Sequence, residues 1–316
     1  LAPKFKIVKL PCLDLMPLGA LKLTFLLEKF SFFLSARAYL WFKQYDILYT
    51  REALSSWLFR RHVLELHVIP GQVRNWQRWL WRRPGKIVAL TAIMKQVLRA
   101  NGVRRKIIVA PDGVDLEQFS LSMSQEEARR QLNLPLDQHI VMYTGSIYLY
   151  DWKGVDVLLA AAEFLSSDTV IILVGGSETE IKTLKQNIKT DNVMLIGRQP
   201  HNSIPLYLRA ADVLVLPNKS GAAHSEQYTS PLKLFEYMAS DRPIVASDLP
   251  ALREILNERN AALVAPDSSA AIAGGVKQVL SEPAWAERLA RQARQDARQY
   301  SWLHRAEIIA KFITNN

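Results

Sequence analysis

Residues 213–247 read VLVLPNKSGAAHSEQYTSPLKLFEYMASDRPIVAS. Two short apolar runs, 213–217 and 243–247, flank an amphipathic stretch, 231–239, in which Leu234, Phe235 and Met238 recur at helical spacing. Short Val/Ile/Leu runs of this kind read as strands buried on both faces. A helix between two such strands is the unit from which parallel sheets are built. Thirteen residues, 218–230, separate the first strand from the helix. A connection that long inside a compact domain usually carries function. Ser230 is a favoured N-cap and Pro231 a favoured first helical residue. The free backbone N–H groups at that helix start would then point toward the ligand edge of the sheet. The helix dipole makes such a start an anion site. Lys233 adds a cation in the first turn. Glu236, one turn on, can accept from the vicinal hydroxyls of a ribose. The residues alone fit a capped helix with a surface glutamate equally well.

The same alternation runs outward from this stretch. Strands are predicted at 139–145, 169–176, 192–197 and 261–266, with helices at 155–165, 203–211, 251–256 and 270–280. The first half repeats the pattern with strands at 6–10, 46–49, 63–67, 86–90 and 106–110. A long aromatic-rich helical stretch covers 18–43 and a short one 94–101. PDGVDLEQFS, residues 111–120, reads as the boundary, and the tail from 283 reads as helical with a break near 300–301. The expected architecture is α/β, with two doubly wound domains facing a cleft. Residues 1–118 form the first and 119–300 the second, with the helix 301–316 returning to the first.

Composition narrows the partners. The chain has 316 residues, 49% of them hydrophobic, and a single cysteine, Cys12. This excludes intrinsic disorder, an intramolecular disulfide framework and a cysteine-based zinc site. No run reaches the roughly 18 apolar residues that span a bilayer, and the start lacks the pattern of a secretory signal. The net charge is +10, and residues 1–118 hold 20 Lys and Arg against 8 Asp and Glu. An anionic partner for the first half follows: a membrane surface, a phosphorylated lipid or glycan, or nucleic acid.

Other stretches carry possible chemistry. In YTGSIYLYDWKGV, residues 143–155, Gly145 permits close backbone approach, Ser146 follows it, and Lys153 can reach a phosphate; the spacing is not that of a P-loop. Gly175 and Gly176 end the next strand in a turn or against a ligand. The strand 63–67 ends in His67, with Glu65 two residues before it on the same face. The six histidines show no metal-ligand spacing, and there is no GxSxG elbow. In QVRNWQRWLWRRPGK, residues 72–86, a helix would set Arg74, Arg78 and Arg82 on one face and Trp76 and Trp79 on another, which suits an anionic bilayer or stacking on a ligand.

NVMLIGRQPHNSIPLYLRAADVLVLP (192–217) and SPLKLFEYMASDRPIVASDLPALREI (230–255) resemble the nucleotide-sugar half of the family-four glycosyltransferases, which are retaining enzymes of the GT-B fold. ELHVIP (65–70), APDGVDLEQF (110–119), TGSIYLYDWKGVDVLLAAAEFL (144–165) and YSWLHRAEII (300–309) are similar to other segments of that family. The resemblance implies a sugar donor bound mainly by the second domain and an acceptor bound mainly by the first. It implies Glu236 on the ribose, the backbone at Ser230, Pro231 and Leu232 on the diphosphate, Lys153 on a phosphate, Arg198 by the nucleobase and His67 on the transferred sugar. It implies no metal and no cofactor, with a UDP-sugar or GDP-sugar as donor. The expected place is cytoplasmic, peripheral to the inner face of the cell membrane, where a surface polysaccharide or glycolipid is built.

Three departures bear on this. The first glutamate of the family's E-x7-E pair is Tyr228 here, so Glu226 is the nearest substitute. The basic residue after the first strand's glycine is Ser146, which moves diphosphate charge onto Lys153 and Lys233. The strand, Gly-rich loop and helix that open the family are not visible ahead of FKIVKLP, so the first domain is expected to be incomplete. An epimerase of similar shape, a nucleotide-binding module without catalysis, and a nucleic-acid binder are the alternatives. Nucleic acid rests on charge alone.

Overall fold

The structure, a computed structural model, describes residues 6–14, 22–147, 151–186 and 188–315. Two compact units divide the chain: Leu1–Ala89 with Val97–Ile108, and Leu90–Gln96 with Val109–Asn316.

In the first unit, β1 (Tyr49–Thr50), β2 (Val63–Leu66), β3 (Lys86–Ala89) and β4 (Lys106–Val109) lie in that order in one sheet. β1 pairs with β2, and β2 with β3, in parallel. All four residues of β2 are buried. The strand expected at 6–10 does not form: Ile7 and Val8 are exposed, so that run has no apolar face to bury. The stretch 18–43 is the helix Lys22–Trp41, and residues 18–21 lie outside the described residues.

The second unit holds β5 (His139–Thr144), β6 (Thr169–Val174), β7 (Val193–Ile196), β8 (Val213–Leu216), β9 (Ile244–Ser247) and β10 (Ala262–Val264), so all six predicted strands form. Their order in the sheet is β10-β9-β8-β5-β6-β7, and every pairing is parallel. The chain winds outward from β5 through β7, then restarts on the other side of β5 with β8. That reversal defines a doubly wound sheet, and ligands bind outside its carboxyl edge. Alternate residues explain why the strands read as unbroken apolar runs. Ile140, Met142, Ile172, Leu214 and Ile244 pack into one core, while Val141, Tyr143, Ile171, Val213 and Val245 pack into the other.

The division between units differs from the expected one. It falls after Ile108 rather than after 118, and the helix Trp302–Thr314 groups with the second unit rather than the first. Local bonds account for both. Val114 bridges to Ser301, and the Arg305 Nε donates to the Pro111 carbonyl at 2.7 Å. Residues 90–96 also group with the second unit, where the N–H groups of Ala92 and Ile93 donate to the Glu254 carboxylate at 2.6 and 2.9 Å. That carboxylate satisfies the start of the helix Ala92–Ala100. Two helices absent from the sequence reading, Gln125–Leu132 and Glu178–Lys185, begin in capping boxes, Ser124 with Glu127 and Ser177 with Glu180. Among the described residues, no helix is long and apolar enough to cross a membrane.

Candidate functional site

Two adjacent central strands of the second sheet end in glycines at its carboxyl edge. β5 runs into Gly145 at φ +128° and β6 into Gly175 at φ +145°. A Cβ on Gly175 would stand 2.0 Å from the Gly145 carbonyl oxygen, so only glycine allows the two strand ends to approach this closely. The Gly145 N–H donates to Val174 and the Gly175 N–H to Ile196, both at 2.9 Å. The Arg198 N–H donates to the Gly176 carbonyl at 2.9 Å, which anchors the Arg198 backbone at this edge while its side chain is exposed. The Ser146 hydroxyl oxygen is buried and has no hydrogen-bond partner among the described residues.

The helix Leu232–Ala239 starts beside this edge. Its first turn leaves the N–H groups of Leu232 and Lys233 without an intrahelical acceptor. Lys233 folds back over the sheet. Its Nζ lies 3.6 Å from the centroid of the Tyr143 ring and 3.2 Å from where a Cβ on Gly145 would be. Desolvation, then repulsion from Lys153, hold the Lys233 ammonium well below its ordinary pKa, against an opposing pull from Glu236. Desolvation also lowers Lys153, which ends the short turn Asp151–Lys153. Gly154, at φ +66°, comes next, where a Cβ would stand 1.8 Å from the Pro217 carbonyl. Two partly desolvated cations thus stand within each other's field at a helix start.

Glu236 lies one turn along, its side chain 13% exposed. Its Oε1 meets the His201 Nε2 at 2.8 Å. His201 packs edge-on to Phe119, ring centroids 6.0 Å apart, and its Nδ1 lies 3.4 Å from the Gln118 amide. His201 is a site residue absent from the sequence reading; its signal was its place directly after Pro200, three residues beyond Arg198.

Several expectations need correction here. Ser230 does not cap the helix. Pro231 is the N-cap, with no side-chain bond, and the Ser230 Oγ accepts instead from the Asp112 N–H at 3.0 Å. Pro231 is itself extended, at φ −74° and ψ +124°, so the helix begins one residue later than expected and Ser230 falls outside the cap position. The stretch 218–230 is not irregular. It contains a π-helical turn, His224–Tyr228, and closes on itself where the Gly221 N–H donates to Glu226 at 2.7 Å and the Ser225 Oγ donates to the Lys219 carbonyl at 2.6 Å. The Glu226 carboxylate is therefore engaged within its own turn, and Tyr228 is buried. The Thr91 hydroxyl donates to the Gln227 carbonyl at 3.2 Å, tying down the same turn.

In the first unit, His67 does not present a bare imidazole. Its Nε2 lies 2.6 Å from the Glu65 Oε1, and the Arg51 guanidinium lies 3.1 and 3.2 Å from its two ring nitrogens. Arg74, Arg78 and Arg82 do not form a free stripe either. The helix is only Asn75–Trp81, with Arg74 and Arg82 as its caps. The Arg78 Nε donates to the Asn101 side chain at 2.9 Å, and Arg82 donates to the Asn101 carbonyl at 3.0 Å. Trp76 and Trp79 are half exposed, and Arg83 stacks 4.3 Å over Trp79. Both tryptophans line an apolar groove of about 470 Å³ against Leu26, Phe30 and Phe33 of the long helix. Among the described residues, no group of three His, Cys, Asp or Glu is placed to hold a metal ion.

Residues 138–282 match the family described as Glycosyl transferases group 1. A D-inositol 3-phosphate glycosyltransferase of Xylanimonas cellulosilytica is 29% identical over 210 residues, 62% of this chain and 48% of that protein. A putative teichuronic acid biosynthesis glycosyltransferase, TuaC of Bacillus subtilis, is 30% identical over 179 residues, 56% of this chain and 42% of its own. The chain spans about half the length of the curated relatives it matches. Among solved structures, HepE of Anabaena, crystallised with UDP, superposes with a TM-score of 0.76 at 19% identity, covering 91% of this chain and 83% of that one. Sucrose-phosphate synthase of Thermosynechococcus elongatus superposes with a TM-score of 0.74 at 24% identity, covering 89% and 76%. The chain thus carries a Glycosyl transferases group 1 domain over residues 138–282, on the fold of the GT-B glycosyltransferases.

Proposed function

We propose that the protein moves a sugar from a nucleoside-diphosphate sugar to a glycan or lipid-linked acceptor, with retention at the anomeric carbon. The observation that carries this reading is the pairing of Lys153 and Lys233 at the start of the Leu232–Ala239 helix, one turn from Glu236. Two cations and two unpaired N–H groups match a diphosphate, and a carboxylate one turn away matches a ribose diol. Glu236 would accept from both ribose hydroxyls, sharing Oε1 with His201. Gly145, Ser146 and Gly175 would line the diphosphate by backbone and hydroxyl, Arg198 the base, and Tyr228 would shape the turn behind them. As the diphosphate leaves, its growing charge would be met by Lys153, Lys233 and the helix N-terminus, the preorganised kind of stabilisation that lowers a barrier most. This reading assigns the protein no metal or cofactor. His67 would contact the transferred sugar.

The relatives support a transferase over an epimerase, since those compared above are glycosyltransferases by name. UDP is the favoured nucleotide because HepE, on the same fold, binds UDP and UDP-glucose. For the acceptor side we infer a cytoplasmic position at the membrane surface. The first half carries the excess positive charge. The apolar groove, with exposed Leu26 and Leu27 in its lining and exposed Leu23 and Phe25 on the same helix, suits acyl chains better than the bonded arginines of 74–82 do.

Titration calorimetry with UDP, GDP, ADP and CMP tests the donor half. Glu236→Ala should weaken the preferred nucleoside diphosphate by about 1.5–3 kcal/mol, roughly 10- to 150-fold, because two ribose hydroxyls lose a charged acceptor. An unchanged affinity sinks the assignment of Glu236, and binding to none of the four sinks the donor site.

A further inference from the structure

The first unit holds a buried carboxylate that the reading above does not use. Glu65 stands on β2, its side chain 6% exposed, between Tyr49 of β1 and His67 just past the end of β2. The parallel register pairs Tyr49 with Val63 and Thr50 with Leu64, which brings the next residue, Arg51, alongside Glu65. The Tyr49 hydroxyl donates to the Glu65 Oε2, and the His67 Nε2 lies 2.6 Å from the Oε1. Arg51 is the outermost member, its side chain 69% exposed and its Nε 3.9 Å from the same Oε1.

The proton positions follow from what each group can do. An ionised carboxylate only accepts, so the 2.6 Å contact requires a proton on the His67 Nε2. The Arg51 Nε–H also points at this nitrogen, at 3.1 Å; the two contacts compete for one atom, and the shorter, to the carboxylate, takes the proton on Nε2. A guanidinium only donates, so the other contact, from the Arg51 terminal nitrogen to Nδ1 at 3.2 Å, requires a lone pair on Nδ1. The Nε2–H tautomer of His67 turns its N–H inward to Glu65 and its acceptor nitrogen toward an exposed, long and flexible side chain. Arg51 is loosely held, because an exposed pair of this kind contributes little.

We propose that Glu65 and Tyr49 are positioning residues that fix His67 as the Nε2–H tautomer, so that it meets a sugar hydroxyl as a hydrogen-bond acceptor through Nδ1, in the place that Arg51 holds in this structure. This rests on the sugar-transfer reading above. Glu65 acts through His67 and does not itself touch the sugar.

Imidazole ¹H–¹⁵N correlation spectra of the full chain, labelled at histidine, read the proton directly. The wild type should give a downfield Nε2–H signal and an unprotonated Nδ1, assigned to His67 by its loss in His67→Asn. Glu65→Gln, a neutral acceptor of the same shape, should move the Nε2–H signal upfield, with Tyr49→Phe moving it less. Glu65→Gln should also lower kcat at least tenfold while KM for the sugar nucleotide and the affinity for UDP stay within twofold, and Arg51→Ala should keep kcat. A proton on Nδ1 in the wild type, or spectra indifferent to Glu65→Gln, overturns the proposal. So does a loss of UDP affinity that matches the loss of kcat, since that marks a merely structural glutamate. Failure of the wild type to transfer sugar from any nucleotide, with the Nε2–H signal in place, sinks the transfer reading and not the tautomer.

Discussion

Lys233→Met separates what stabilises the second unit from what binds nucleotide. The Lys233 ammonium makes no ion pair within 4 Å among the described residues. Its nearest companions are the Tyr143 ring at 3.6 Å and the field of a second cation, Lys153. Methionine has nearly the same length, keeps the contact with the ring through its sulfur, and brings no charge to desolvate. Burying an uncompensated charge costs several kcal/mol, while the cation–π contact returns about 1–2. The variant is expected to be more stable than the wild type at neutral pH by about 1–2 kcal/mol, measured by denaturant unfolding. The same change should weaken UDP by about 1.5–3 kcal/mol, the worth of a charged hydrogen bond to phosphate. The pH dependence supplies a sign check. Because the folded state lowers the pKa of Lys233, the unfolded chain binds the proton at pH values where the folded chain has released it. The penalty is complete below the folded pKa and is relieved as pH rises toward 10.5. The wild type should therefore gain stability relative to Lys233→Met on the alkaline side, measured below pH 10 to stay clear of tyrosine ionisation. A variant less stable than the wild type, or one that binds UDP as tightly, refutes the placement of a stored cation at this edge.

Gly175→Ala should cost about 3 kcal/mol or more in denaturant unfolding, since its Cβ would stand 2.0 Å from a carbonyl oxygen at a backbone angle closed to side chains; a loss below about 0.5 kcal/mol would show that the strand ends can part. His62 is buried and held down at about pKa 4 by desolvation, against 6.5 when free. The unfolded chain then binds the proton first, so stability should fall as pH drops from about 6.5 to 4, by about 3 kcal/mol in all. His62→Gln should flatten that limb, and an unchanged slope in acid unfolding would assign it to other groups. For the groove, Leu26→Asp with Phe30→Asp should abolish flotation with anionic vesicles while Arg74→Glu only weakens it; the reverse order would return the contact to the arginines.

The second unit was legible because its four central strands are buried on both faces and its two edge strands are apolar throughout. A run such as VLVL at 213–216 has no polar alternation to confuse with a helix, and the reading found all six strands in the sheet. The same rule misled at 6–10, where Ile7 and Val8 sit among lysines and bury nothing. Two helices were missed although their signals were present: S-x-x-E at 124–127 and at 177–180 is the capping box that starts each. The division between units was misplaced because Pro, Asp and Gly at 111–113 mark a turn in the local chain, whereas the contacts that set the boundary come from Ser301, Arg305 and Glu254, far away in sequence.

The candidate site divides along the same line. Lys153, Lys233 and Glu236 were named from their places relative to a strand end and a helix start, and those places are local properties of the chain. Their charge states are not local. Lys233 is desolvated because Tyr143 faces the second core and Gly145 leaves room above its ring, and Gly145 can lie there because Gly175 lets β6 close against it. Three residues, the farthest 90 positions away in sequence, thus decide the electrostatics of one ammonium group. Likewise, Glu65 and His67 are two residues apart, yet the carboxylate between them is oriented by the Tyr49 hydroxyl from across the sheet. A reading of spacing finds which groups can meet. Which of them is charged, and which nitrogen holds the proton, is decided by neighbours that only the fold brings together, and a substitution at Gly175 or Tyr49 is expected to alter the chemistry of a residue it does not touch.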